Sequence, residues 1–444
     1  MNRQPHHATR SEGAPPSFDL YPRDTKPFSL DLARLLLAAT LFGAPLSFGA
    51  VVPWGKVALG LGASVALFLW AFAGVRQGAF KLSWSPLYIP LTLFFLLGVA
   101  QYGVPFALDR SETRQALVLL AADLTFFFLA TQLFAGADGG PLCAFGLAVV
   151  VYAGAMGLFS ILQLAASTHG IYAKFAGPWA GLWGPYVNRD HFAGLMEMLI
   201  PVGALYGAGY HRRFSLQAWL LPISAVMLAF ASLLLTGSRG GLLALSAEVA
   251  IFTFAFRRAT VDSRRQGRRL VMVAAIALLA GLMLFAYVDP GSAAERWGVV
   301  AHPQSWGQWI GSRETMARDA LRMWRDHPLL GVGLGNLETA YPRYQTYASD
   351  DWVDHAHNDY AEAFAETGLI GALLILFALA LFLRLAFRDG WRAFGSLASR
   401  IRLGAAIACC GMLVHSLGDF NLHIPANAAW FACLAGIATT ARAD

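Results

Sequence analysis

The sequence is poor in charge. Asp, Glu, Lys and Arg make up 14% of its 444 residues, whereas 57% are hydrophobic. A soluble domain carries roughly 25% charged and 45–50% apolar residues, so the composition argues against one. Apolar runs recur along most of the length, each long enough to cross a bilayer core of about 30 Å. Cysteine is scarce as well. Cys143, Cys409, Cys410 and Cys433 all lie inside apolar runs. They fit neither a disulfide framework nor a zinc spacing and read as small buried hydrophobes. Residues 1–29 lack an apolar core and contain five prolines. They read as a disordered cytoplasmic tail, not a signal peptide. The net charge of +6 comes from basic residues clustered between apolar runs. That is the pattern of membrane topology and not of a nucleic-acid surface.

The pattern predicts an all-α integral membrane protein of about twelve transmembrane helices. The spans fall near 31–50, 55–75, 84–105, 114–134, 142–166, 190–210, 216–236, 239–256, 270–288, 367–386, 403–421 and 424–441. Nine spans thus occupy 30–288, a long loop fills 289–366, and three spans occupy 367–444. With the N-terminus inside, 21 of the 33 Lys and Arg residues lie on the cytoplasmic side and six on short outer segments. This asymmetry places both termini in the cytoplasm and the long loop outside. Within the loop, SRETMARDALRMWRDH (312–327) sets Met316, Ala320 and Met323 or Trp324 on one helical stripe and Arg318, Arg322 and Arg325 on another. Such a short amphipathic helix suits the membrane surface. No internal repeat and no appended soluble domain is visible.

Polar groups gather where spans meet the outer side. LTGSRGGLLAL (235–245) opens span eight, with Ser238 as a candidate N-cap. Gly240 and Gly241 bare the first turn, so its N–H groups and Arg239 together suit an anion such as phosphate. A snorkelling arginine is the plainer alternative. GPYVNRDHFAG (184–194) gathers Asn188, Arg189 and His191 at the start of span six, where capping by Asn188 or Asp190 is the simpler reading. HAHNDYAEAFAETGLIG (355–371) sets His357 at the mouth of span ten. A neutral imidazole there can take a proton from a hydroxyl, oriented by Asp354, Asp359 or Glu362. Capping by Asn358 or Asp359 with His357 incidental is the alternative, and a metal on His355, His357 and Asp359 is a third.

HPLLGVGLGN (327–336) lacks the spacing of a nucleotide loop and reads as a tight turn. His415 and Asp419, four apart, either pair, line the site or cap a turn, with capping preferred. Glu197, Glu248 and Asp123 fall inside spans and read as protonated groups bonded between helices, a proton path being the alternative.

Two motifs carry a resemblance to a family. Arg239, three residues and Leu243 form the first; His357-Asn358, nine residues, Gly368, two residues and Gly371 form the second. With these, the chain resembles the O-antigen ligase/polymerase family, bacterial inner-membrane glycosyltransferases that use a lipid carrier and no metal. The resemblance runs from span six to the C-terminus. It implies an undecaprenyl-pyrophosphate-linked glycan as donor and a glycan, lipid A-core or protein hydroxyl as acceptor, with inversion at the anomeric centre. It also implies a periplasmic site in the inner membrane, membrane lipids as surroundings, and neither cofactor, metal nor nucleic acid. By resemblance His357 is catalytic and Arg239 holds the pyrophosphate. Arg189 and Arg313 compete for a second donor contact, and Asn188, His191, Asn358 and Asp359 support. A transporter without bond chemistry is the alternative function.

Overall fold

The computed structural model describes residues 28–78, 80, 82–103, 108–135, 140–166, 171–172, 183–210, 216–257, 283, 303–348, 352–388 and 396–440. Regular structure among them is helical, apart from isolated bridge residues such as the pair Trp183 and Tyr186. The first eight helices are α1 (Phe28–Leu46), α2 (Pro53–Gln77), α3 (Tyr88–Gly103), α4 (Arg110–Leu133), α5 (Gly140–Ala165), α6 (Arg189–Tyr210), α7 (Leu216–Thr236) and α8 (Arg239–Arg257). The loop region contributes α9 (Pro303–Asp326) and α10 (Leu337–Ala340), and α11 (Asp359–Ala386), α12 (Leu397–His415) and α13 (Pro425–Thr439) follow. Seven of these are long and apolar enough to cross a membrane, and two more apolar helices are shorter. The chain is a multi-pass all-α membrane protein. The 1–27 part of the expected tail and most of the expected ninth span, 270–288, lie outside the described residues.

Burial separates an inner from an outer shell. In α6, 89% of the most apolar window is buried, against 17% in α11. Helix α6 packs on α5, α7, α8 and α12, and α12 continues the contact to α13. Small residues make the approach close, because Gly404 of α12 lies where a Cβ would stand 2.8 Å from the Val202 backbone. Helix α11 instead turns Leu373, Leu376 and Phe377 outward, the composition of a lipid-facing surface. The four cysteines are free; three are buried and Cys143 is half-buried.

The amphipathic helix appears as α9, longer than its expected 312–327. Its apolar stripe packs on protein, contrary to the membrane-surface expectation. Ala320 and Met323 are buried in a small core with Val332, Leu337, Tyr341 and Ala365. Burial against a protein core satisfies the stripe as well as lipid would. Arg318 and Arg322 stay exposed and pair with Glu314 and Asp319.

The 327–336 turn returns the chain to the bundle and fits a break in α11. Gly368 has φ +63 and ψ −163, and Val332 N–H donates to Ala365 C=O at 2.9 Å while Leu369 N–H donates to Pro328 C=O at 2.8 Å. A Cβ on Gly368 would collide with the Leu329 backbone, and one on Gly331 (φ +70) with that of Glu366. The break therefore depends on glycine at both places, for conformation and for space. Gln101 of α3 closes the junction, donating to Leu330 C=O at 2.6 Å and Glu366 C=O at 2.8 Å.

Candidate functional site

The expected anion end of α8 has the predicted cap. Ser238 Oγ accepts from Gly241 N–H at 3.1 Å. The two glycines serve packing as well as access. A Cβ on Gly240 would run into the His415 ring, and one on Gly241 would stand 3.0 Å from Ala193 Cβ. The helix start is thereby pressed against α6 and α12. Helix α6 begins alongside, capped by Asn188, whose Oδ1 accepts from Asp190 N–H at 2.8 Å. The charges of Arg189, Asp190 and Arg313 all act on Arg239. Three arginines from three separate helices therefore share one neighbourhood with the starts of α6 and α8.

His357 joins that group through Arg313 of α9. Arg313 Nη1 lies 2.6 Å from His357 Nδ1, and its Nη2 lies 3.8 Å from Asp190 Oδ2. His357 has φ +48 and precedes Asn358. Asn358 caps α11, its Oδ1 accepting from Tyr360 N–H at 3.1 Å and Ala361 N–H at 2.9 Å. Its amide donates to Leu417 C=O at 2.9 Å, which ties the cap to the 416–420 turn. The capping reading of Asn358 is thus right, and the cap also aims the preceding histidine.

The carboxylate beside His357 is none of the three expected. Asp419 Oδ1 lies 3.2 Å from Nδ1. Asp359 and Glu362 are occupied elsewhere, and Asp354 is exposed. Asp419 is buried and its Oδ1 accepts from Phe420 N–H at 2.9 Å. Burial alone would raise its carboxyl. The His357 hydrogen bond and the electrostatic influence of His191, Arg313 and His415 outweigh burial and hold it well below the usual carboxylate range.

Two groups therefore compete for His357 Nδ1. With the ring proton on Nδ1, the imidazole donates to Asp419 and keeps the Nε2 lone pair for a substrate proton. With the proton on Nε2, Nδ1 accepts from Arg313 and that lone pair is gone. A single tautomer cannot satisfy both.

Behind Asp419 sits a second buried pair. His415 Nδ1 lies 2.9 Å from Glu197 Oε2, both side chains fully buried. His415 Nε2 is 3.9 Å from Asp419 Oδ2. The preferred turn-capping role for His415 is replaced by this pairing across α6 and α12, while the weighed pairing with Asp419 survives as the longer contact. Glu197 matches the expectation of a group bonded between helices. Glu248 is buried beside Gly411, and both its oxygens lack a hydrogen-bond partner among the described residues. Asp123 Oδ1 is in the same state. His191 is buried with its ring 4.7 Å from that of Phe420.

The metal reading on His355, His357 and Asp359 does not survive. The two histidines diverge, because His357 turns to Asp419 while His355 Nδ1 meets Glu362 Oε1 at 2.7 Å. Asp359 Oδ1 meets His423 Nδ1 at 2.7 Å. Instead His355, Glu362 and His423 each offer an atom within 4.8 Å of the others. This cluster lines a cavity of about 560 Å³, whose apolar walls include Leu91, Leu120, Ile375 and Ala432.

Asp419, His415 and His423 were within reach of sequence reading, since all three lie in one polar stretch, HSLGDFNLHIPAN (415–427). Nothing local ties them to His357 or Glu362, about 60 residues away in the chain. Residues 224–376, about a third of the chain, match the family described as O-antigen ligase. The match includes Arg239, Arg313 and His357 and stops before Asp419. No curated protein matches the chain.

Proposed function

We propose that this chain, which matches the family described as O-antigen ligase over residues 224–376, transfers a glycan from an undecaprenyl-pyrophosphate carrier to a hydroxyl acceptor at the periplasmic face of the inner membrane. One observation carries the reading. Arg313 touches both the His357 imidazole, at 2.6 Å, and Asp190 at the start of α6, beside Arg239 and Arg189. A proton acceptor and an anion-binding group thus adjoin.

In the reaction, His357 Nε2 takes the proton of the acceptor hydroxyl, whose oxygen bonds to the anomeric carbon from the face opposite the donor oxygen. The bond from that carbon to the pyrophosphate breaks, and undecaprenyl pyrophosphate leaves as an anion with the bonding electrons. Arg239 and the helix starts of α6 and α8 stabilise the charge that develops on it. Asp419 stabilises the imidazolium. Arg313 links the two halves. A bound pyrophosphate is a stronger acceptor than an imidazole nitrogen, so donor binding draws Arg313 away from Nδ1 and leaves Nδ1–H to Asp419. The base then becomes available when the donor is present.

Purified protein given a carrier-linked glycan and an acceptor tests this. Formation of a new glycosidic bond with release of the lipid pyrophosphate supports it; donor moved unchanged across the bilayer refutes it. Deleting the gene and examining surface glycans separates acceptors. Loss of chain-length control indicates a carrier-linked glycan, and loss of attachment indicates lipid A-core.

A further inference from the structure

The transfer reaction leaves one polar cluster unused. His355 Nδ1 lies 2.7 Å from Glu362 Oε1, and His423 Nε2 lies 3.3 Å from the same oxygen. We propose that His355, Glu362 and His423 bind one divalent transition-metal ion of the zinc class, which clamps the 352–358 segment to α11 and to the 421–423 turn.

The donor set is two imidazoles and one carboxylate, a combination that zinc accepts with a fourth position left open. Ligand atoms around a tetrahedral ion with bonds of 2.0–2.2 Å stand about 3.3 Å apart. The edge between His423 and Glu362 already has that length, at 3.3 Å. The edge between His355 and Glu362, at 2.7 Å, must open by about 0.6 Å.

The surrounding contacts hold the ligands in the orientation an ion requires. Asp359 Oδ1 accepts from His423 Nδ1–H at 2.7 Å. That bond fixes the tautomer and leaves the Nε2 lone pair facing Glu362, the arrangement in which a carboxylate orients a metal-bound histidine. Glu362 Oε2 accepts from Ala356 N–H at 3.0 Å, so Oε1 is the oxygen left between the two rings. The His355 ring stacks on Phe420, with centroids 4.3 Å apart and planes 25° from parallel. Glu362 is almost fully buried, and the cluster lines the cavity, which gives the open position access to solvent or substrate.

The ligands come from three chain segments, so helix capping does not account for them. Without an ion, the same groups form a buried carboxylate between two imidazole rings. The clamp has a consequence for catalysis by proximity alone. His355 is two residues from His357, and Phe420 touches both rings.

Metal binding tests this independently of transfer activity. The full chain, purified in detergent and freed of metal, is titrated with Co(II) and with Zn(II). One ion per chain is expected, with the visible absorption of a four-coordinate Co(II) site. His423→Ala and Glu362→Gln should lose stoichiometric binding, and Asp359→Asn should weaken it about 10–100-fold. Absence of a stoichiometric ion on folded wild-type protein overturns the proposal, as does undiminished binding in His423→Ala and Glu362→Gln. Should those variants not fold, the zinc X-ray absorption spectrum of the wild type decides. Two imidazoles with oxygen support the site; sulfur ligation or absent imidazole scattering overturns it.

Discussion

Asp419→Asn isolates the charge that the account assigns to the imidazolium. Asn has nearly the shape of Asp. Its carbonyl oxygen can still accept from Phe420 N–H and from His357 Nδ1–H, the bonds Asp419 makes at 2.9 and 3.2 Å. What disappears is a full negative charge beside a ring that becomes positive only as the acceptor proton is transferred. At an effective dielectric constant of about 20, two unit charges 4 Å apart attract by about 4 kcal/mol. The ring spreads its charge and is partly exposed, so about 3–4 kcal/mol is an upper range for this site. Each 1.36 kcal/mol is a factor of ten in rate, so kcat should fall by about 10²–10³. In the proposed mechanism the donor is held by arginines that the substitution leaves in place, so KM for the carrier-linked glycan should change little. The assay is transfer by purified protein at varied donor concentration, with Asp419→Glu as a comparison expected to retain part of the rate. A kcat for Asp419→Asn within threefold of wild type would refute the role of Asp419.

Other substitutions test neighbouring parts of the account. Arg239→Ala and His357→Ala should each abolish most transfer while the protein is still produced and inserted, and Arg239→Lys should also fail because the forked geometry is lost; all three are read as product formed per amount of protein. Arg313→Ala should raise KM for donor and lower kcat together, since the residue serves both pyrophosphate and base; a change in only one would separate those roles. Gly368→Ala should destabilise by about 2–5 kcal/mol through a positive φ and a collision with the Leu329 backbone, seen as a lower thermal midpoint in detergent. His415→Ala leaves Glu197 buried without its partner and should cost about 3–5 kcal/mol; the double change Glu197→Gln with His415→Ala should recover part of that loss.

The helical class and the positions of most elements were legible because each depends on local information. Apolar runs of membrane-spanning length state where α1, α2, α4 and α5 run, and Ser238, Asn188 and Asn358 are caps within two or three residues of the amides they serve. His357 and Arg239 could also be singled out from their local setting at helix starts, whereas Arg313 entered only through the family resemblance. The partners of those residues were not legible. Asp359 and Glu362 are near His357 in sequence and were expected to orient it, yet the helical turn after Asn358 carries them to His423 and His355. Asp419 reaches His357 only because α12 ends against α11, a contact with no local sequence signature. The stripe of α9 shows the same limit. Its periodicity reveals an apolar face but not whether lipid or protein covers it.

The central claim is that one site both removes a proton from the acceptor and holds the departing pyrophosphate. Its most direct test follows the donor in proteoliposomes containing either wild-type protein or His357→Ala. The account predicts that wild type forms a glycosidic bond of inverted configuration and releases undecaprenyl pyrophosphate, while His357→Ala binds the donor and forms no bond. Product formation by His357→Ala at the wild-type rate, or a wild type that only moves the intact donor between leaflets, would contradict it.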